Sequence, residues 1–307
     1  MIICCGEALM DMIPVAMPDG STAFTPHTGG AVFNTAVALG RLGAPVAMIS
    51  GVSRDEFGEE LAETLVANHV ETALLVRSDL LTALAVVHLD KGQATYGFYD
   101  EGSAGRMIVA SDLPKLPENT TALYFGGISL VSQPAADAYC DLCVKAAGRF
   151  PVMIDPNIRP DFITDAAAYR ARLDRMLKQA DIVKVSDEDL AWITGGVGSL
   201  AEQATTLQSK GPRFVIVTRG AEGVMALCSD RVIHVAAEPA TVVDTVGAGD
   251  TFNAGFLAYL AQQDRLDKAA LVQMPLEELR GALAYGARVA AVTVSRSGAN
   301  PPWLHEL

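Results

Sequence analysis

A chain of 307 residues, half of them hydrophobic and 19% charged, is long enough for one large α/β domain with a small appendage. Its net charge of −13 argues against nucleic acid, which needs a basic footprint, but allows a nucleotide held by backbone N–H groups and a metal ion. No apolar run reaches the ~20 residues that span a bilayer, and the odd count of five cysteines points to free thiols in a reducing cytoplasm.

The opening segment, MIICCGEALMDMIP, has no basic leader and meets an acid at Glu7. It reads as a first strand at 2–5, not as a signal peptide. Residues 12–27 then set a DG turn between two extended runs, the pattern of a hairpin. A helix is expected at 31–42, a strand at 46–50 and a helix at 55–68. Residues 82–99 form a second hairpin pattern, with DKG as its turn.

From there strands at 122–125, 152–154, 182–185 and 214–217 alternate with helices at 134–147, 166–178, 199–209, 248–262 and 275–294. Cys140 and Cys143 make a C-x-x-C inside the helical pattern, with no second pair to complete a zinc site. The alternation predicts a mainly parallel sheet with helices on both faces and binding sites beyond the carboxyl ends of its strands. Neither hairpin suits a buried parallel strand. Together they predict a small β-sheet projecting from a single domain of 1–307, as a lid formed by about 12–27 and 82–99 or as a contact between two copies.

One stretch demands chemistry. In VVDTVGAGDTFNAGF, a strand-like run meets Gly247, Ala248, Gly249 and Asp250 as a helix begins. First-turn amides and the helix dipole favour an anion there, and glycines let phosphate oxygens approach the backbone. An acid beside phosphate repels it, so Asp250 needs a reason, and a proton acceptor for an attacking hydroxyl is the best one. It is expected to remain ionised at a helix start. A plain glycine turn with a helix-start carboxylate is the alternative reading. A dinucleotide fingerprint would need glycine where Phe252 stands, and a P-loop would need a Gly-Lys pair that the chain lacks.

DTVGAGDTFNAGF closely resembles the C-terminal signature of the ribokinase-like (PfkB) sugar kinases, and the resemblance runs along essentially the whole chain. GEALMDMIP resembles the family's first strand and GGAVFNTAVALGRLG its N-terminal glycine motif. DPNIRPDFI, VKVSDEDL, VTRGAEGV and SRSGANPP follow in the family's order, while FYDEGSAGRM and KVSDEDLAWI look most like bacterial fructokinases. The resemblance implies an ATP-dependent kinase that phosphorylates the 6-hydroxyl of D-fructose, needs Mg²⁺ and carries a site for K⁺. Family members acting on 2-keto-3-deoxygluconate, ribose or a nucleoside remain alternatives, as does a non-catalytic sugar- or nucleotide-binding protein.

Carried over by motif, Asp250 is the base, with Gly247, Ala248, Gly249 and Arg159 around the transferred phosphate. Asp11, Gly29, Gly30, Asn34, Tyr96 and Phe98 would hold and wall the sugar. Phe33, beside Val32 where smaller residues are usual, would narrow that pocket. Lys184, Ser186, Thr218, Gly220, Gly223, Gly286 and Ala287 would line the nucleotide side. Asp189 would reach Mg²⁺ through water, with Ser186 as its motif partner or as a helix N-cap. Asp244 and Val246, with the loop 296–302, match the monovalent-cation site. Asp100 stands where kinases of 2-keto-3-deoxygluconate carry an arginine, so it is expected to repel an acidic sugar. Sugar and ATP are thus the implied partners, without nucleic acid or membrane, and the lid suggests a homodimer.

Overall fold

Strand β1 (Ile2–Cys5) is buried throughout, and its side chains divide by parity. Ile2 and Cys4 join one hydrophobic cluster, Ile3 and Cys5 the other. Such a strand is covered on both faces, which is why it reads as a continuous apolar run. The computed structural model describes residues 1–90 and 93–307, giving only the backbone for 88–90 and 93–96.

After β1 come β2 (Leu9–Ala16), β3 (Thr22–Gly29), α1 (Ala31–Arg41), β4 (Val46–Ile49), β5 (Gly51–Ser53), α2 (Glu56–Ala67) and β6 (Val76–Ser78). Then follow β7 (Leu84–Asp90), β8 (Gln93–Tyr99), β9 (Ala122–Gly126), α3 (Ala135–Ala146), β10 (Val152–Asp155), α4 (Ala166–Leu177) and β11 (Ile182–Ser186). The rest comprises α5 (Asp187–Thr194), α6 (Leu200–Gln208), β12 (Phe214–Thr218), β13 (Val224–Cys228) and β14 (Arg231–Val235). Helices α7 (Ala248–Gln262), α8 (Lys268–Val272) and α9 (Leu276–Val294) close the chain.

The main sheet has the order β14-β13-β12-β11-β10-β9-β1-β4. Every pair from β4 to β12 is parallel, as the alternation of strand and helix requires. The edge departs from expectation, because β13 and β14 add an antiparallel hairpin that the sequence pattern did not disclose. Its turn is Ser229-Asp230, with Ser229 at φ 57 and no glycine to mark it. The sequence pattern likewise does not disclose the short strands β5 and β6 or helix α8, whereas α5 follows the helix N-cap read at Ser186.

Both expected hairpins are present and form one separate sheet, β3-β2-β7-β8, joined through a parallel β2–β7 pair. Lys91 and Gly92, of the DKG turn, lie outside the described residues. Cross-strand register places Asp11, Ala85 and Phe98 in one row. All five cysteines are buried and free, Cys140 and Cys143 among them in α3. Among the described residues no helix is long and apolar enough to cross a membrane.

Helix α7 packs on α1 and α9 against one face of the main sheet. A Cβ at Gly255 would lie 2.9 Å from Gly286 Cα, and one at Gly286 would lie 2.9 Å from Phe252 O. The two glycines therefore let α7 and α9 approach closely. Gly286 serves this crossing and lines neither cavity of the site described next. Its expected place on the nucleotide side is corrected accordingly.

Candidate active site

Two cavities meet at the start of α7. One, of about 350 Å³, is lined by Glu7, Asp11, Asn34, Asp155, Lys184 and Asp250 together with apolar walls. The other, of about 510 Å³, is lined by Thr218, Gly220, Gly223, Phe252 and Ala287 among other small and apolar residues. Thr245, Ala248 and Gly249 belong to both linings, so the glycine turn is the partition between a polar chamber and an apolar one. Asp155, the last residue of β10, and Thr218, the last of β12, reach the chambers from the carboxyl ends of their strands.

Asp250 occupies the first turn of α7 and is 8% exposed. Asn34 Nδ2 donates a hydrogen bond to its Oδ2 at 3.0 Å, across 216 residues of chain. Burial pushes the Asp250 carboxyl up to about 7. The Asn34 bond and nearby Lys184 oppose that rise, while the charges of Asp155 and Glu7 add to it. The expectation of a carboxylate kept fully ionised by the helix dipole is thus corrected. Desolvation outweighs the dipole here.

Gly247 is the N-cap of α7 at φ 76, in the left-handed region that favours glycine. A Cβ there would also press to 2.6 Å from Ala299 Cβ. Gly249 is bare for another reason, since a Cβ would come within 2.9 Å of Lys184 Nζ. Lys184 is 5% exposed, and its Nζ donates to Asp155 Oδ2 at 2.9 Å. Asn253 Nδ2 donates to the same oxygen at 2.7 Å and to Tyr124 Oη at 3.0 Å. A cation is thereby fixed beside the glycine turn. Lys184 lines the polar chamber and not the apolar one.

The loop after β10 is held from the same carboxyl. Asp155 Oδ1 accepts from Asn157 N at 3.2 Å, with Asn157 at φ 43. Asn157 and Arg159 both line the polar chamber. Arg159 is exposed, and its Nη1 donates to Ile158 O at 3.1 Å. Asp189 lines neither chamber. Its Oδ1 accepts from Ile158 N at 3.1 Å, and Ser186 Oγ caps α5 by accepting from Asp189 N. Burial, helped by the charge of Asp155, raises the Asp189 carboxyl above its ordinary range.

On the sugar side expected from sequence, Asp11 and Gly30 line the polar chamber. Burial pushes Asp11 up to about 6. Gly29 lies behind it, where any Cβ would collide with Asp11 Oδ2, so Gly29 makes room for the acid and does not line the chamber. Phe98 lines the wall and meets Phe162 edge-on at 4.5 Å between ring centres. The side chain of Tyr96 lies outside the described residues. Phe33 is 1% exposed and turned into the core with Val32, so it does not narrow the chamber. Asp100 is also corrected. Its Oδ1 accepts from Arg106 Nη1 at 3.0 Å, and it borders a small side pocket instead of the main chamber. Its charge is paired, which removes the basis for repelling an acidic sugar.

Asp244 ties the two loops assigned to a monovalent cation. Its Oδ1 accepts from Val246 N at 3.0 Å and its Oδ2 from Gly298 N at 2.9 Å. Sequence reasoning missed Glu7, Leu9, Ile128, Phe162 and Thr245 in the polar chamber. It also missed the 237–240 segment in the apolar one. The latter follows β14, so the unrecognised edge hairpin hid it.

The family model described as pfkB family carbohydrate kinase matches residues 1–306. The fructokinase of Rhizobium leguminosarum bv. trifolii is 46% identical over 280 residues, 91% of this chain and 86% of that one. Among solved structures, a fructokinase with bound ATP from Xylella fastidiosa superposes with a TM-score of 0.89 at 30% identity, covering 97% of this chain and 93% of its own. A fructokinase double mutant from Vibrio cholerae O395, in a fructose-, ADP- and potassium-bound form, superposes with a TM-score of 0.83 at 25% identity, covering 97% and 93%.

The glycine turn can be tested directly. Gly249→Val would force Lys184 Nζ from its place and crowd the turn, while the helix start itself tolerates a side chain. The folded variant is expected to bind ATP at least about tenfold more weakly, measured by calorimetric titration. Unchanged affinity would show that the turn is not where phosphate sits.

Proposed function

Because the chain belongs to the pfkB family of carbohydrate kinases, we propose that it transfers the γ-phosphate of ATP to the 6-hydroxyl of D-fructose, with Asp250 as general base. The observation that carries this reading is the meeting of a polar and an apolar chamber at one glycine turn, with a buried, Asn34-bound carboxyl at the junction. Sugar belongs in the polar chamber and the adenine in the apolar one. Asp11 and Asn34 offer hydroxyl partners, and Thr218, Gly220, Gly223 and Ala287 offer walls for the nucleotide.

In the reaction, the sugar oxygen forms a bond to the γ-phosphorus as the bond from phosphorus to the β,γ-bridging oxygen breaks. The hydroxyl proton passes to an Asp250 carboxylate oxygen, and ADP leaves. First-turn amides of α7 and the Lys184 ammonium face the charge that develops on the phosphoryl oxygens. Arg159, also in the lining of the polar chamber, adds a second permanent positive charge. Phe98 and the small sheet act as the lid that limits water as a competing acceptor.

Asp155 lines the polar chamber and would reach Mg²⁺ through water, whereas Asp189 lines neither chamber and its Oδ1 is taken by Ile158 N. Bound with the nucleotide, that ion would neutralise phosphate charge. The Asp244-tied loops suit K⁺ coordinated by carbonyls. The outer face of the small sheet, with Phe24 41% and Tyr99 66% exposed, suits a contact between two copies. Sedimentation velocity reads that contact, and a single-chain mass at micromolar concentration would remove it. The free buried thiols fit a cytoplasmic setting.

The base must be ionised to act. With Asp250 lifted to about 7 by burial, kcat/KM for the sugar should rise as pH increases through about 7 and level off above it. Asp250→Asn should lower kcat by roughly 10²–10⁴-fold. It should also raise Tm at pH 8. An acid whose folded pKa is raised contributes most stability below its unfolded value and loses that contribution as pH rises to the folded one. A variant that keeps more than about a tenth of wild-type kcat sinks the assignment.

The acceptor is tested by ADP release across a panel of sugars. Fructose should give the highest kcat/KM, with Mg²⁺ required and K⁺ stimulating. A higher value for 2-keto-3-deoxygluconate, ribose or a nucleoside would replace fructose while leaving the kinase. Transfer without a divalent ion would count against the kinase chemistry itself.

A further inference from the structure

Helix α1 begins with a deficit. Its N-cap, Gly30, has no side chain to offer, and no acid stands in its first turn. The amides at such a start need acceptors, and the dipole favours a negative charge beside them. Glu7 supplies both from a distant part of the chain. Its Oε1 accepts from Ala31 N at 3.0 Å, and its Oε2 accepts from Ser129 N at 3.2 Å. Ser129 sits in the 3₁₀ turn Gly127–Leu130 that follows β9. One carboxylate therefore joins two neighbouring elements at the carboxyl ends of β1 and β9.

The surrounding chain is shaped to that carboxylate. Gly127 has φ 67, and a Cβ there would collide with Glu7 Oε1. Gly30 has φ 106, and a Cβ there would come within 3.0 Å of Glu7 O. Glu7 is 9% exposed and borders the polar chamber together with Asn34 and Asp250. Asn34 stands one helical turn beyond Ala31, and its amide is the one that donates to Asp250. We propose that Glu7 is a positioning residue for phosphoryl transfer, whose carboxylate fixes the start of α1 and so holds the Asn34 amide on Asp250. The proposal rests on the kinase reading above.

Glutamine cannot replace this glutamate. A carboxylate presents two acceptor oxygens, whereas a carboxamide must turn its NH₂ toward one of the two backbone amides. Glu7→Gln, Asn34→Ala and the double variant are to be assayed with fructose and ATP. Glu7→Gln should lose at least about tenfold in kcat/KM for the sugar while KM for ATP stays within about twofold. Placed on Asn34→Ala, it should cost less than about twofold more, because both changes act through one contact. Full activity of Glu7→Gln, or losses that multiply, would overturn the proposal. An inactive wild type would instead remove the kinase reading and the positioning role with it. If Glu7→Gln does not fold, the wild-type protein decides. Amide exchange at Ala31 and Ser129 should be slow, as for hydrogen-bonded protons, and exchange at open-loop rates contradicts the staple.

Discussion

The bond from the Asn34 amide to the Asp250 carboxyl joins the starts of two helices that lie 216 residues apart in the chain. Much of the architecture can be understood as what that contact requires. Helix α1 must begin close to the end of β1, and α7 must lie across it. The Gly255–Gly286 crossing lets α9 hold α7 in that place. Thr35 adds a second tie, its hydroxyl donating to Asp250 O at 3.1 Å. Two helix N-termini converging on one acid create a site where positive dipole ends face the same small volume. Burial still prevails over them and lifts the carboxyl to about 7.

Behind the acid lies a polar network that apolar packing alone would not produce. Asp155 receives Lys184 and Asn253 on one oxygen and Asn157 on the other. It thereby connects β10, β11 and α7 with the loop that carries Arg159. A buried ion pair of this kind contributes little net stability when weighed against apolar side chains, because both charges must be desolvated. Its value lies in placement. Lys184 Nζ is held 2.9 Å from where a β-carbon on Gly249 would stand, so the glycine leaves room for the ammonium.

The parts of this arrangement legible in the sequence are those with a backbone or period signature. The run VGAGD marks a tight turn into a helix, because glycine at positive φ has a backbone signature, and strand–helix alternation marks the parallel sheet. The two hairpins were visible because they broke that rhythm. Side chains whose role depends on a distant partner were harder to read. Glu7 looked like a punctuation mark after the first strand, and only Ala31 and Ser129 reveal its task. Phe33 faces the core because helix phase, not proximity to Asn34, sets its direction. Position in a motif suggests an unpaired acid at Asp100, and Arg106, six residues on, changes its electrostatic meaning.

A crystal structure with fructose and a non-hydrolysable ATP analogue tests the central claim most directly. The sugar's 6-hydroxyl oxygen is expected within about 2.6–3.2 Å of an Asp250 carboxylate oxygen. That same oxygen should lie in line with the terminal phosphorus, with phosphate oxygens against the Gly247–Asp250 turn. A sugar bound with another hydroxyl at Asp250, or phosphates seated away from the glycine turn, would contradict it.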